Sequence, residues 1–120
     1  MALDLELEEL RKELEDRLRD FSKKIESTWS EYRAADFGYT VKYLAEDIED
    51  RIRRYIGGHV ECYPAIDMVG DRILITAQCI VRKPRERINI DAETVYTASK
   101  DLTNIKLEDI HIAINRRAAF

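Results

Sequence analysis

Residues 59–82 read HVECYPAIDMVGDRILITAQCIVR, and this stretch decides the fold. Val60, Cys62, Pro64, Ile66 and Met68 recur at every second position, the period of a strand with one covered face. Val69-Gly70-Asp71-Arg72 then offers a two-residue hairpin turn with glycine first of the central pair, the type II′ pattern. Pairing Val69 with Arg72 sets Met68 opposite Ile73, Ile66 opposite Ile75, Pro64 opposite Ala77, Cys62 opposite Cys79 and Val60 opposite Val81. The alternating apolar positions then share one face, and a slip of one residue destroys the agreement, so the register is specified. In it Pro64 occupies a non-hydrogen-bonded site, where its missing N–H points away from the second strand and marks a sheet edge.

The reading extends downstream. A loop of Lys83-Pro84-Arg85-Glu86 leads into a third strand, and pairing Arg82 with Arg87 places Ile88, Ile90, Ala92, Thr94 and Tyr96 against Val81, Cys79, Ala77, Ile75 and Ile73. A short helix opened by Asp91 competes over 92–102, because Val95, Tyr96, Ser99 and Leu102 also fit helical spacing; the β-rich run Thr94-Val95-Tyr96-Thr97 favours the strand. Ile110, Ile112 and Ile114 mark a fourth strand, followed by a short tail ending at Phe120.

Upstream the period is helical. Leu3, Leu7, Leu10, Leu14, Leu18, Phe21, Ile25, Thr28 and Tyr32 form one apolar stripe on a charged surface. Val41, Leu44, Ala45, Ile48, Ile52, Tyr55 and Ile56 form a second, stopped by Gly57-Gly58 with Arg51, Arg53 and Arg54 in its last turns. Between them Gly38 breaks the pattern, and Asp36 or Thr40 can cap the second helix. The expectation is one α+β domain over 1–120: helices at about 4–33 and 40–56 on one face of a four-stranded antiparallel meander at about 59–68, 72–82, 87–98 and 106–116. A first helix of about 45 Å overshoots strands of about 33 Å. Residues 1–15 are therefore expected to project as an oligomerisation helix, although the domain's own sheet can also cover them.

The chain has 120 residues, 45% apolar and 37% charged, as in a globular domain with a heavily charged surface. Residues 1–50 hold 15 acids and 8 bases (net −7), and residues 51–120 hold 9 acids and 12 bases (net +3), so the chain is polarised and not basic. There is no membrane-spanning run and no signal-peptide pattern, which points to a cytoplasmic protein without membrane contact. Cys62 and Cys79 are too few for a zinc site or a disulfide framework. They are expected as buried reduced thiols, although their opposed positions also allow a cross-strand disulfide. No phosphate loop, zinc-protease motif or serine elbow is present, so neither an enzyme nor a cofactor is expected.

Asp36-Phe37-Gly38, followed by an amphipathic helix and a hairpin, resembles the small baseplate-wedge proteins of contractile phage tails over roughly residues 36–82. Gly57-Gly58-His59 stands where that family has Glu-Pro-Arg, and no functional residue carries over. The resemblance implies an assembly component.

The functional expectation is a non-enzymatic assembly or adaptor protein, a homo-oligomer or the holder of a protein partner. Its interface is expected at Leu3, Leu7, Leu10 and Leu14 and on the outer sheet face at Tyr63, Leu74, Ile80 and Val95. The alternative is a nucleic-acid-binding module in which Arg51, Arg53, Arg54, Arg82, Lys83, Arg85 and Arg87, with Arg116 and Arg117, converge at one end of the sheet. A second alternative is a small-ligand site between helices and sheet.

Overall fold

The computed structural model describes residues 2–29, 34–101 and 103–118, with side chains throughout these except at 2–4 and 34–39. Two helices, α1 (Ala2–Thr28) and α2 (Ala34–Ile56), precede four strands, β1 (His59–Val69), β2 (Arg72–Lys83), β3 (Glu86–Ala98) and β4 (Ile105–Ala118). The strands form one antiparallel meander in the order β1-β2-β3-β4. Both helices lie on one face, α1 over β4 and β3 and α2 over β1 and β2. Among the described residues the opposite face carries no helix.

The hairpin register is the one the turn dictates, from Val69↔Arg72 through Cys62↔Cys79 to His59↔Arg82. Gly70 adopts φ 64° in that turn, which a side chain resists. The second hairpin pairs Arg82 with Arg87 and Ile73 with Tyr96 as the sequence predicts, and residues 86–98 are strand, not helix. Between β3 and β4 the register shifts: Val95 pairs with Asp109 but Tyr96 with Leu107, so Glu108 is the extra residue of a bulge. The bulge switches the parity of β4. Ile105 and Leu107 on one side of it, and Ile110, Ile112 and Ile114 on the other, all reach the helix-covered face.

Two helix boundaries differ from expectation. The first helix ends at Thr28, five residues short of 33, and Tyr32 of its stripe lies outside the described residues. The second begins at Ala34, six residues before 40, with Gly38 inside it. One glycine costs a helix about 1 kcal/mol, less than the turns around it contribute. Leu102 and Phe120 also lie outside the described residues.

The larger correction concerns the projecting helix. Leu7 is 8% exposed and Leu10, Leu14 and Leu18 are 0% exposed, all within the chain's own core. The sheet is longer than expected, because β3 has 13 residues and β4 has 14. At about 3.3 Å per residue β4 spans roughly 46 Å, against about 40 Å for the helix, so nothing overshoots. The longest dimension of the molecule is 49 Å. The side chain of Leu3 lies outside the described residues; Leu5, off the stripe, is exposed.

Tyr96 is the largest fully buried side chain, with its hydroxyl away from water. Burial pushes that hydroxyl up to about 12, with the neighbouring Thr94 hydroxyl partly offsetting it. The raised value means that the folded state holds this proton more tightly than the unfolded chain does. The contribution to stability is therefore complete below about pH 10 and lost as pH rises toward 12. Tyr96→Phe is expected to abolish this alkaline loss and to leave neutral-pH stability equal or higher, since it removes a buried polar atom lacking a good partner. Urea midpoints of both proteins across pH 8 to 11 check it.

Candidate interaction surface

The residues singled out from sequence fall into three places. Leu7, Leu10 and Leu14 are core residues and offer nothing to a partner. Tyr63, Leu74, Ile80 and Val95 do lie on the helix-free face, where Leu74 pairs directly with Val95, and Ile80 with Glu61. Tyr63 is 53% exposed, Leu74 and Ile80 are half-buried, and Val95 is closed off at 9%. Val69, also on this face beside the hairpin turn, is exposed and was not anticipated.

This face is ordered by charge along the strands. At one end the register aligns His59, Arg82, Arg87 and Arg117 in a single row across all four strands. Lys83 and Arg85 border the row in and beside the β2–β3 turn. Arginines facing one another across strands repel by a few tenths of a kcal/mol to about 1 kcal/mol per pair. Arg82 is offset by Glu61 at 3.5 Å, and Arg87 donates to Asn89 Oδ1 at 3.3 Å. Arg117 and Arg85 have no ion pair among the described residues. Toward the other end come Asp91, Glu93, Asp67 and Asp109, which make the middle acidic.

The helix-borne arginines do not join the row equally. Arg51 reaches Glu13 at 3.4 Å and Asp47 at 3.8 Å, and so ties α2 to α1 away from the sheet end. Arg53 and Arg54 pair with Glu49 and Asp50 one turn back along α2. Arg116 points to the helix-covered face and pairs with Glu86. Arg82, Arg87 and Arg117 thus share one end of the helix-free face, Arg85 lies in the adjoining turn, Lys83 alternates to the helix-covered side, and Arg51, Arg53 and Arg54 are held in ion pairs on the helices.

Tyr63 is anchored locally. Its hydroxyl donates to Glu61 Oε2 at 2.7 Å, while His59 Nε2 lies 3.1 Å from Glu61 Oε1. The Tyr63 hydrogen bond, then that of His59, holds the Glu61 carboxyl below the ordinary range, and the same carboxylate raises the Tyr63 hydroxyl. His59 and Tyr63 are exposed and Glu61 is partly so, and their hydrogen bonds order the β1 rim. Among the described residues no cluster of His, Cys, Asp and Glu is arranged to hold a metal ion. The space between helices and sheet is filled by core side chains, and the concave regions are surface grooves, such as one of about 370 Å³ between α1 and α2 beside Phe21 and Tyr43.

The two cysteines correct the expectation of reduced thiols. Cys62 and Cys79 are joined in a disulfide with their Cα atoms 4.1 Å apart. They occupy a non-hydrogen-bonded pair, where strands bring opposing residues closest, so the register itself brings the sulfurs together. Cys79 is buried and Cys62 half-buried, on the helix-covered side.

The two sheet edges differ in a way the sequence reading missed. On the β4 edge the Ile112 carbonyl accepts from Arg11 Nη1 at 2.6 Å, and the Leu107 N–H donates to Glu26 Oε1 at 2.6 Å. The Ile110 N–H is taken by Asp109 Oδ1 at 2.8 Å. Two side chains of α1 thus tie that edge at Leu107 and Ile112, the way natural sheets blunt edges against unwanted pairing. The sequence signal was present: Arg11 and Glu26 directly follow stripe residues Leu10 and Ile25, so each leaves the helix beside its buried face.

Among the described residues no helix is long and apolar enough to cross a membrane. Comparison with protein-family models, with curated proteins and with solved structures gives no match.

Proposed function

We propose that this chain is a non-enzymatic assembly module that self-associates or holds a protein partner through the helix-free side of its sheet and the β1 rim bordering it. The observation that supports this most is where apolar surface remains once the core is closed. The leucines of α1 are consumed internally, whereas on β1 Tyr63 and Val69 on the helix-free side, and Ile66 and Met68 on the rim of the helix-covered side, stay exposed. Scattered exposed apolar residues are ordinary, but a run of them along one strand is the usual mark of a contact surface. The half-buried Leu74 and Ile80 continue Tyr63 and Val69 across the helix-free face.

Light scattering over a range of concentrations tests the reading. The expected mass exceeds the 14.1 kDa of one chain and falls toward it on Tyr63→Lys plus Ile80→Lys. A one-chain mass at every concentration overturns self-association.

The aligned arginine row favours a second reading, contact with a polyanion such as nucleic acid. Its end of the sheet keeps like charges adjacent at some cost in stability, and phosphates would relieve that. This reading expects oligonucleotide binding that weakens steeply with salt and is largely lost on Arg87→Ala plus Arg117→Ala; no binding at low ionic strength removes it. For location, the disulfide weighs against the cytoplasmic expectation, because such bonds persist chiefly in oxidising compartments.

A further inference from the structure

The β1 edge is open, whereas the β4 edge is tied to α1 at Leu107 and Ile112. In the hairpin register Glu61, Tyr63, Ala65, Asp67 and Val69 bond to β2, so the backbone groups of Cys62, Pro64, Ile66 and Met68 point away from the sheet. Among the described residues no side chain reaches those groups. The same segment carries Tyr63, Ile66, Met68 and Val69, four of the six exposed large apolar side chains among the described residues. A long open edge with an apolar flank is a template for another strand, a liability that folds normally blunt.

We propose that this edge pairs with the β1 edge of a second copy, antiparallel about a two-fold axis through Ile66, joining two sheets into one of eight strands. The pairing rests on the self-association reading and names the contact. Three observations select it. First, β4 is engaged by Arg11, Glu26 and Asp109 at Ile112, Leu107 and Ile110, so β1 is the freer edge that a copy has to offer, and edge meets like edge in an isologous contact. Second, centring on Ile66 gives every exposed apolar residue an apolar counterpart: Ile66 faces Ile66 of the second copy, Pro64 faces Met68, and Tyr63 faces Val69, while Asp67 faces Ala65. Centring on Pro64 instead sets Asp67 against Glu61, two like charges, and centring on Ala65 sets Tyr63 against Asp67 and Val69 against Glu61. Third, Pro64 has no N–H, so only the N–H groups of Ile66 and Met68 can donate across the axis. The paired segment is short and ends at Tyr63, before the charged rim begins. The two-fold axis stands perpendicular to the sheet and keeps both helical layers on the same side.

Sedimentation of the oxidised chain, with amide exchange resolved by residue, tests the pairing. The expected result is a two-chain mass and exchange at Ile66 and Met68 that slows as concentration rises. Ile66→Pro deletes only an outward N–H and leaves the β1–β2 ladder intact; Ile66→Lys keeps the N–H and sets two ammonium groups at the axis. Each is expected to weaken association roughly tenfold or more, as loss of a central interface residue does, with unfolding midpoints close to wild type. A two-chain mass that survives both variants and is lost in Ile80→Lys overturns the edge pairing while self-association stands. Masses climbing beyond two chains show open-ended contacts and overturn the two-fold. A one-chain mass with fast exchange at Ile66 and Met68 overturns both.

Discussion

Leu14→Ala is expected to lower the unfolding free energy by about 3 kcal/mol, or more if the site does not collapse, the usual range for emptying a core leucine site. Leu14 is wholly shielded, on the α1 stripe between Leu10 and Leu18 and inside the same cluster as Ile112 and Ile114 of β4. Truncation removes its apolar burial and leaves a void that a helix tied down by flanking contacts cannot close. Arg11 and Glu26, each bonded to the β4 backbone, are such ties. Chemical denaturation measures the loss. The result also separates two roles for the stripe. An interface leucine would change the mass in solution with little change in the stability of one chain, whereas a core leucine changes stability and leaves association to the sheet.

Reduction of the Cys62–Cys79 disulfide is expected to cost a similar amount. The bond closes a loop with sequence separation 17, and restricting the unfolded chain in this way stabilises a fold by roughly 3 kcal/mol. Reduced protein should unfold at lower denaturant, and Cys62→Ala plus Cys79→Ala should match it within about 1 kcal/mol, since the register holds the two positions together with or without the bond. The native hairpin should survive, because its turn and apolar pairing do not need the bridge. Guanidinium unfolding with and without a phosphine reductant is the measurement; identical midpoints would mean that the bridge does not constrain the chain.

The contrast between the two hairpins and the fourth strand shows what a sequence of this kind makes legible. A two-residue turn with Gly70 at its first centre leaves one register, and every pair from Val60↔Val81 to Met68↔Ile73 follows from it by counting. The β4 register does not follow by counting, because the Glu108 bulge shifts the alternation by one and hides Ile105 and Leu107 from a period-two reading. The helix stripe was legible, but its destination was not. That depended on sheet length, and strands of 13 and 14 residues run past the point where alternation fades among Asn115, Arg116 and Arg117. The arginine row was visible as clusters and became a row only once three registers were joined. The open β1 edge was foreshadowed by Pro64, whereas the ties on the β4 edge depend on helix side chains some 80 to 100 residues away in sequence. The expectation of reduced cysteines failed for a different reason: register brings two thiols together, and the surrounding medium joins them.

The most direct test of a contact surface on the sheet is small-angle X-ray scattering from the oxidised chain at several concentrations. One chain has a Cα radius of gyration of 15.2 Å and a mass of 14.1 kDa. Edge-to-edge pairing should give twice that mass and a clearly larger radius of gyration, from an elongated particle whose forward scattering falls back on dilution. A radius that stays near 15.2 Å and a mass that stays at 14.1 kDa at every concentration would contradict it.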